Sequence, residues 1–203
     1  MKSILTSIIL MLPALLFAQG GMHTLVRPLI GSGGHGHVFV GASVPFGMVQ
    51  AGPTQYETGW DWCSGYHYDG TRIVGFAQQH LSGTGCSDLG DIAIMPVTRD
   101  TELTREGLAT PFSHNQERAM EPWYYCVDLP QAKVEVTAQR FAACYRISGS
   151  QLLAVDLKNA IGNQWTDSHL EQCGDNVLWG HRTDRGWVSC KTVYFCIQFN
   201  NRI

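Results

Sequence analysis

Charge is scarce in this 203-residue chain: Asp, Glu, Lys and Arg together make up 15% of it, against roughly 25% in an average soluble domain. There is no basic excess. Fourteen Lys and Arg face 17 Asp and Glu, for a net charge of −3. That leaves too little positive charge to track a phosphate backbone, so the composition argues against a nucleic-acid partner. Beyond residue 18 no apolar run approaches the ~20 residues a membrane-spanning helix needs. No two cysteines have the CxxC spacing of a zinc knuckle or a thioredoxin motif. No G-x-S-x-G nucleophile elbow occurs. Ser82-Gly83-Thr84-Gly85 lacks the lysine and the following helix of a phosphate loop. No segment carries a long 3.6-residue apolar period, which removes amphipathic helices as the main building material.

What is present begins with an address. Met1–Ala18 combines one charge, Lys2, an apolar run from Ile4 to Phe17, and small Ala18 before Gln19. This is the pattern of a secretory signal. It predicts an exported protein, periplasmic or extracellular, whose mature domain is 19–203. Export permits disulfides, but seven cysteines are an odd number, so at least one is unpaired or intermolecular. Cys190 and Cys196 share a face if their segment is a strand, too far apart to bond. Most of the seven are expected to be small buried hydrophobes.

The two halves differ in texture. Seventeen of the 22 glycines lie at or before Gly107, so the first half is loop-rich around short apolar pieces such as Val38–Val40, Ile73–Phe76 and Asp91–Val97. Ser113 and Gln116 have the S-x-x-Q spacing of a capping box, predicting a short helix that ends near Pro122. From Trp123 the pattern alternates. Lys133–Thr137 reads as a half-buried strand. Phe141–Ile147 and Leu152–Leu157 flank Ser148–Gln151 as a hairpin would. Val193, Phe195, Ile197 and Phe199 line one strand face. The fold class is therefore all-β, and two packed antiparallel sheets in a sandwich are the simplest way to bury such strands.

The chemistry-bearing residues concentrate between Gly31 and Asp91. Four of the eight histidines are there: His35, His37, His67 and His80. His-x-His on a strand puts two imidazoles on one side, and a third from His67 or His80 would complete a zinc or iron site. The plainer reading is that these histidines bond loop backbone. Trp60, Trp62, Tyr66 and Tyr68 crowd one short loop among Asp, Ser and His. Rings of this kind stack on the C–H faces of sugars while polar neighbours take the hydroxyls, although a loop buried against a sandwich has the same composition. Asp61, Asp69, Asp88 and Asp91 are available carboxylates. A glycosidase needs two, facing each other across the bond; Asp88 and Asp91 serve equally well as turn caps.

Taken together, "IGSGGHGHVFVGASVPFGMVQAGP", "GWDWCSGYHY", "GFAQQHLSGTGCSDLGDIAIMP" and "FSHNQERAMEPWYYCVDL" resemble the N-terminal domain of family 92 glycoside hydrolases, exported calcium-dependent exo-α-mannosidases. The resemblance runs in order from about Leu25 to Val136. It continues more loosely through "KVEVTAQRFAACYRIS" and "GWVSCKTVYFCIQF". Trp123, in "EPWYY", stands where that motif usually has Gly, and Cys144 where the family tends to have His.

The resemblance implies an N-terminal β-sandwich that packs on a helical barrel, and an inverting reaction on mannose-containing glycans. It implies that the catalytic Glu and Asp and most calcium contacts belong to that barrel, which is absent from these 203 residues. No catalytic residue and no metal ligand is therefore expected in this chain, and the domain alone is expected to be inactive. By motif, the sugar contacts carried over are Trp60, Trp62 and Cys63, with His80, Gly83 and Asp88 beside them. A stand-alone carbohydrate-binding module and a histidine-based metalloenzyme are the alternatives to weigh.

Overall fold

The structure, a computed structural model, describes residues 25–203. The secretory signal expected at 1–18 lies outside the described residues. Thirteen strands follow one another: β1 (Ala42–Ser43), β2 (Gln50–Gln55), β3 (Arg72–Ala77), β4 (Ala93–Val97), β5 (Thr110–Pro111), β6 (Glu117–Glu121), β7 (Tyr124–Asp128), β8 (Lys133–Ala138), β9 (Ala143–Ser148), β10 (Leu152–Asp156), β11 (Gln164–Cys173), β12 (Val177–Arg185) and β13 (Lys191–Gln198). Among the described residues a short α-helix, α1 (Arg105–Leu108), precedes β5. Thr104 caps it, accepting from the Gly107 amide.

Pairing is antiparallel in every ladder among the described residues. A six-stranded sheet runs β1-β2-β3-β4-β10, with β5 beside β3; a four-stranded sheet runs β6-β7-β8-β9. Their apolar faces meet. Ala51, Ile73, Phe76 and Ile94 from the first, with Val40 just before β1, pack with Tyr125, Val127, Val134 and Val136 from the second in one core. The alternation expected of 133–137 is visible there: Val134 and Val136 are buried, while Lys133 and Glu135 sit half out. Each such valine contributes about 1.5–3 kcal/mol of burial.

The all-β, antiparallel expectation thus holds, with three refinements. A third sheet, β11-β12-β13, stands beside the sandwich. Its inward stripe is the predicted one: Val193, Phe195 and Ile197 are half-buried and their neighbours exposed. The predicted 148–151 hairpin is instead a crossover. β9 pairs with β8, but β10 pairs with β4 in the other sheet. Ser150 explains the turn, since its hydroxyl donates to the Val97 carbonyl at 2.6 Å and fastens the chain to the end of β4. The Ser113 helix is one turn, His114–Gln116, not a run to Pro122. The Ser113 amide does donate to Gln116 Oε1, yet β6 begins at Glu117 because its pairing with β7 satisfies the backbone there.

The cysteine expectation is corrected as well. All seven are free; Cys63 and Cys126 are buried and the other five exposed. Alternation is the reason where strands are concerned: Cys144 and Cys196 occupy outward positions of β9 and β13.

Candidate functional site

Three glycine-rich loops meet beside the larger sheet. The middle one carries Trp60-Asp61-Trp62 as a single 3-10 turn. Trp60 is 58% exposed, and its indole N–H donates to the Gly85 carbonyl at 3.0 Å. Its ring lies edge-on to His37, 4.2 Å between centroids, and 5.1 Å from His35. Asp61 accepts from His35 Nδ1 at 2.6 Å, and His37 Nε2 stands 3.5 Å from the same oxygen. That hydrogen bond from His35 is the main reason the Asp61 carboxyl is held below its ordinary range. The loop after β3 completes the cluster: the Gly83 amide donates to the His37 carbonyl at 2.6 Å. Gly83 has φ +78 and open space where a Cβ would stand, so the chain there is bare backbone facing outward.

Behind this surface lies a polar scaffold. Trp62 is half-buried and its indole donates to Gln55 Oε1 at 2.9 Å, an oxygen shared with the His67 amide. Cys63 is fully buried, and burial pushes its thiol up, which leaves it protonated and unsuited to nucleophilic work. His80 is buried too. Its Nδ1 lies 2.8 Å from the Gln50 carbonyl, which can only accept, so Nδ1 carries the proton and Nε2 accepts from Thr54 at 3.3 Å. Burial pushes His80 down to about 4; it is neutral at ordinary pH. Asp88 is buried, and its oxygens accept the Leu89 and Trp187 amides, both at 2.6 Å. Of the six residues singled out by motif, Trp60 and Gly83 are therefore exposed, Trp62 is partly so, and Cys63, His80 and Asp88 stand behind them.

The histidines do not assemble a metal site. His67 donates from Nε2 to the Gly34 carbonyl and accepts the Asp69 amide on Nδ1. His80 has both nitrogens engaged as well. Neither offers the lone pair a third ligand needs, and among the described residues no group of three His, Cys, Asp or Glu is placed to hold a metal. Calcium fares no better: one gathering of carboxylates, Asp88, Asp91 and Asp184, already surrounds Lys191 and Arg182. Among the described residues this cluster, with its cations in place, does not fit a resident calcium ion.

Two features had no strong signal in the sequence. One is that ion-pair cluster, assembled from residues about a hundred positions apart. The other is Glu117, a buried carboxylate that accepts from Tyr66 at 2.6 Å, Tyr125 at 2.7 Å and His114 Nδ1 at 2.5 Å. It ties the aromatic loop to the four-stranded sheet. Burial first, and Glu117 second, push both phenols well up. A surface hollow of about 500 Å³ bordered by Met95, Leu108, Thr110 and Gln131 lies apart from all of these residues.

Residues 25–203 match the family model of the glycosyl hydrolase family 92 N-terminal domain. The chain belongs to this family. The family 92 fold is also the one found in solved relatives. A family GH92 alpha-mannosidase of Bacteroides thetaiotaomicron, solved alone and in complex with mannoimidazole, superposes with TM-scores of 0.83 and 0.82 at 31% identity, over 89% of this chain. The inverting family GH92 mannosidase of the same organism superposes with a TM-score of 0.63 at 25% identity, over 79% of this chain. An uncharacterized secreted glycosidase of Arthroderma benhamiae is 28% identical over 135 residues, 63% of this chain. The chain spans only about a quarter of the length of the mannosidases and 17% of the fungal protein. Among the described residues no helix is long and apolar enough to cross a membrane.

Proposed function

We propose that this family 92 domain supplies part of the sugar site of an exported, inverting exo-α-mannosidase acting on mannose-containing glycans. The catalytic acid and base, and any calcium, belong on this reading to protein outside the 203 residues. The observation that carries it is the Trp60 cluster. An exposed indole is fixed from behind by Gly85, flanked by two histidines and a carboxylate, with bare backbone at Gly83 alongside. A ring face beside charged hydrogen-bonding groups suits a pyranose, which offers C–H bonds on one face and hydroxyls at its edge. Trp60, Trp62 and Gly83 then touch the sugar. Cys63, His80 and Asp88 shape the loops from beneath.

Nothing in the cluster provides the paired acid and base that glycoside hydrolysis requires. Asp61 is ionised and held by His35, and so is a poor proton donor. The domain alone should therefore bind weakly and not turn over. Titration of the 203-residue chain with mannose and mannobiose, followed by tryptophan fluorescence, tests both halves. Saturable quenching without release of mannose is the expected result. Absence of any saturable change overturns the sugar site, and turnover by the pure chain overturns its dependence on outside residues.

A further inference from the structure

The loop after β3 is held in a conformation its residues do not favour. Leu89 and Ile92 in that loop have positive φ, at 68° and 54°, and so does His37, at 53°, in the segment before β1 that the loop meets. Side-chain-bearing residues persist there only where the surroundings over-determine them. His37 faces Trp60, and Leu89 and Ile92 bracket Asp91. The loop is closed at its base by a bridge between His80 and Leu89. Its tip, Gly83 to Gly85, meets His37 and Trp60.

What over-determines the base comes from the third sheet. Arg182 and Asp184 lie on β12, and Lys191 begins β13 opposite Asp184. Arg182 Nη1 donates to Asp91 Oδ1, and Lys191 Nζ donates to Asp91 Oδ2 at 2.8 Å. Lys191 is also 3.6 Å from Asp88 Oδ1 and 3.4 Å from Asp184 Oδ1, so it alone reaches all three carboxylates. Asp91, Asp184 and Arg182 are almost completely buried, whereas Lys191 keeps 21% of its side chain exposed. Three carboxylates against two cations leave the cluster one negative charge in excess. Losing either cation would strand buried charge with nothing to offset it.

We propose that Lys191 and Arg182 are positioning residues for the sugar site. Through Asp88 and Asp91 they clamp the base of the 80–89 loop, so that Gly83 and Gly85 at its tip are held against His37 and Trp60. This rests on the reading of that cluster as a sugar site and adds to it a role for the third sheet. The ammonium contributes as a point charge shared among three acceptors, so arginine in its place retains the clamp and methionine does not.

The test is amide hydrogen exchange on the full 203-residue chain, comparing wild type, Lys191→Met and Lys191→Arg. The expected result is exchange faster by on the order of tenfold across residues 80–91 in Lys191→Met, with β8 unchanged and Lys191→Arg returned to the wild-type pattern. Mannose affinity should fall in Lys191→Met and recover in Lys191→Arg. Equal acceleration in β8, or no acceleration in the loop, overturns the proposal. Should Lys191→Met not fold, Asp88→Asn loosens the same clamp with little change of volume, and must accelerate the loop alone. If the wild-type chain binds no mannose, the sugar reading fails, while the exchange comparison still decides whether Lys191 positions the loop.

Discussion

The Trp60 ring stands edge-on to His37 at 4.2 Å while its indole nitrogen is fixed to the Gly85 carbonyl. An exposed ring is thereby held in one orientation by two loops far apart in sequence. A fixed ring loses little rotamer freedom when a ligand stacks on it, which is what preorganisation means for binding.

Trp60→Ala should weaken mannose binding by about tenfold, in keeping with the 0.5–1.5 kcal/mol of an aromatic contact. Because the side chain is largely exposed, the melting temperature should move by no more than a few degrees. Titration beside a thermal melt separates the two effects. A large loss of stability with unchanged affinity would make Trp60 a packing residue.

Acid should unfold the domain partly through His80. Burial places its folded value at about 4, below the ordinary 6.5. Above pH 6.5 the ring is neutral in both states and contributes no pH dependence. As the pH falls through 6.5 the unfolded chain takes up a proton that the folded chain refuses. Stability therefore declines, and the loss levels off below pH 4 at about 3 kcal/mol. Urea titrations at pH 7, 5.5 and 4.5 on wild type and His80→Gln measure it. The variant should lose this part of the slope, and an unchanged slope would assign it elsewhere.

Glu117→Ala should cost about 3 kcal/mol or more, because it leaves the Tyr66 and Tyr125 hydroxyls buried without their acceptor. Tyr125→Phe removes one donor and keeps the carboxylate bonded to Tyr66 and His114, so it should cost about 1 kcal/mol. Denaturant midpoints compare the two; equal losses would mean the carboxylate is not the hub.

Gly65→Ala joins two penalties. Its φ is +80, and a Cβ would lie 2.8 Å from His80 Cδ2 and from Ile161 Cδ1. The strain alone is about 1 kcal/mol, and the contact forces His80 or Ile161 to shift. A stability loss of at least about 2 kcal/mol is expected. A silent substitution in a thermal melt would show that the His80 environment yields easily.

Much of the fold could be read in the sequence because alternation is a local signal. Lys133–Thr137 and Val193–Ile197 each display on a few consecutive residues which side faces the core, and β8 and β13 follow that pattern. What escaped was pairing between distant segments. Nothing local in Ser148–Gln151 distinguishes a hairpin from a crossover; the deciding partner, Val97, lies 53 residues earlier. The site divides the same way. The aromatic crowding at Trp60–Tyr68 is contiguous and visible, whereas Lys191 and Asp91 stand 100 residues apart and show no shared pattern. His35 and His37 invited a metal, but Asp61 and Trp60 take them up instead.

The crossover to β10 also sets an order of events. β4 pairs with β3 only at Phe76–Ile94, but with β10 along its whole length, from Ala93 to Val97. The larger sheet therefore cannot close until residues 152–156 are available, after the four strands of the smaller sheet have been made. Such long-range closure is slow, since the loop entropy must be met before the contact forms. Until then β4 is an open apolar edge. The chain should accordingly refold over milliseconds to seconds, with β6 to β9 acquiring protection first and the Trp60 cluster, which depends on both sheets, last.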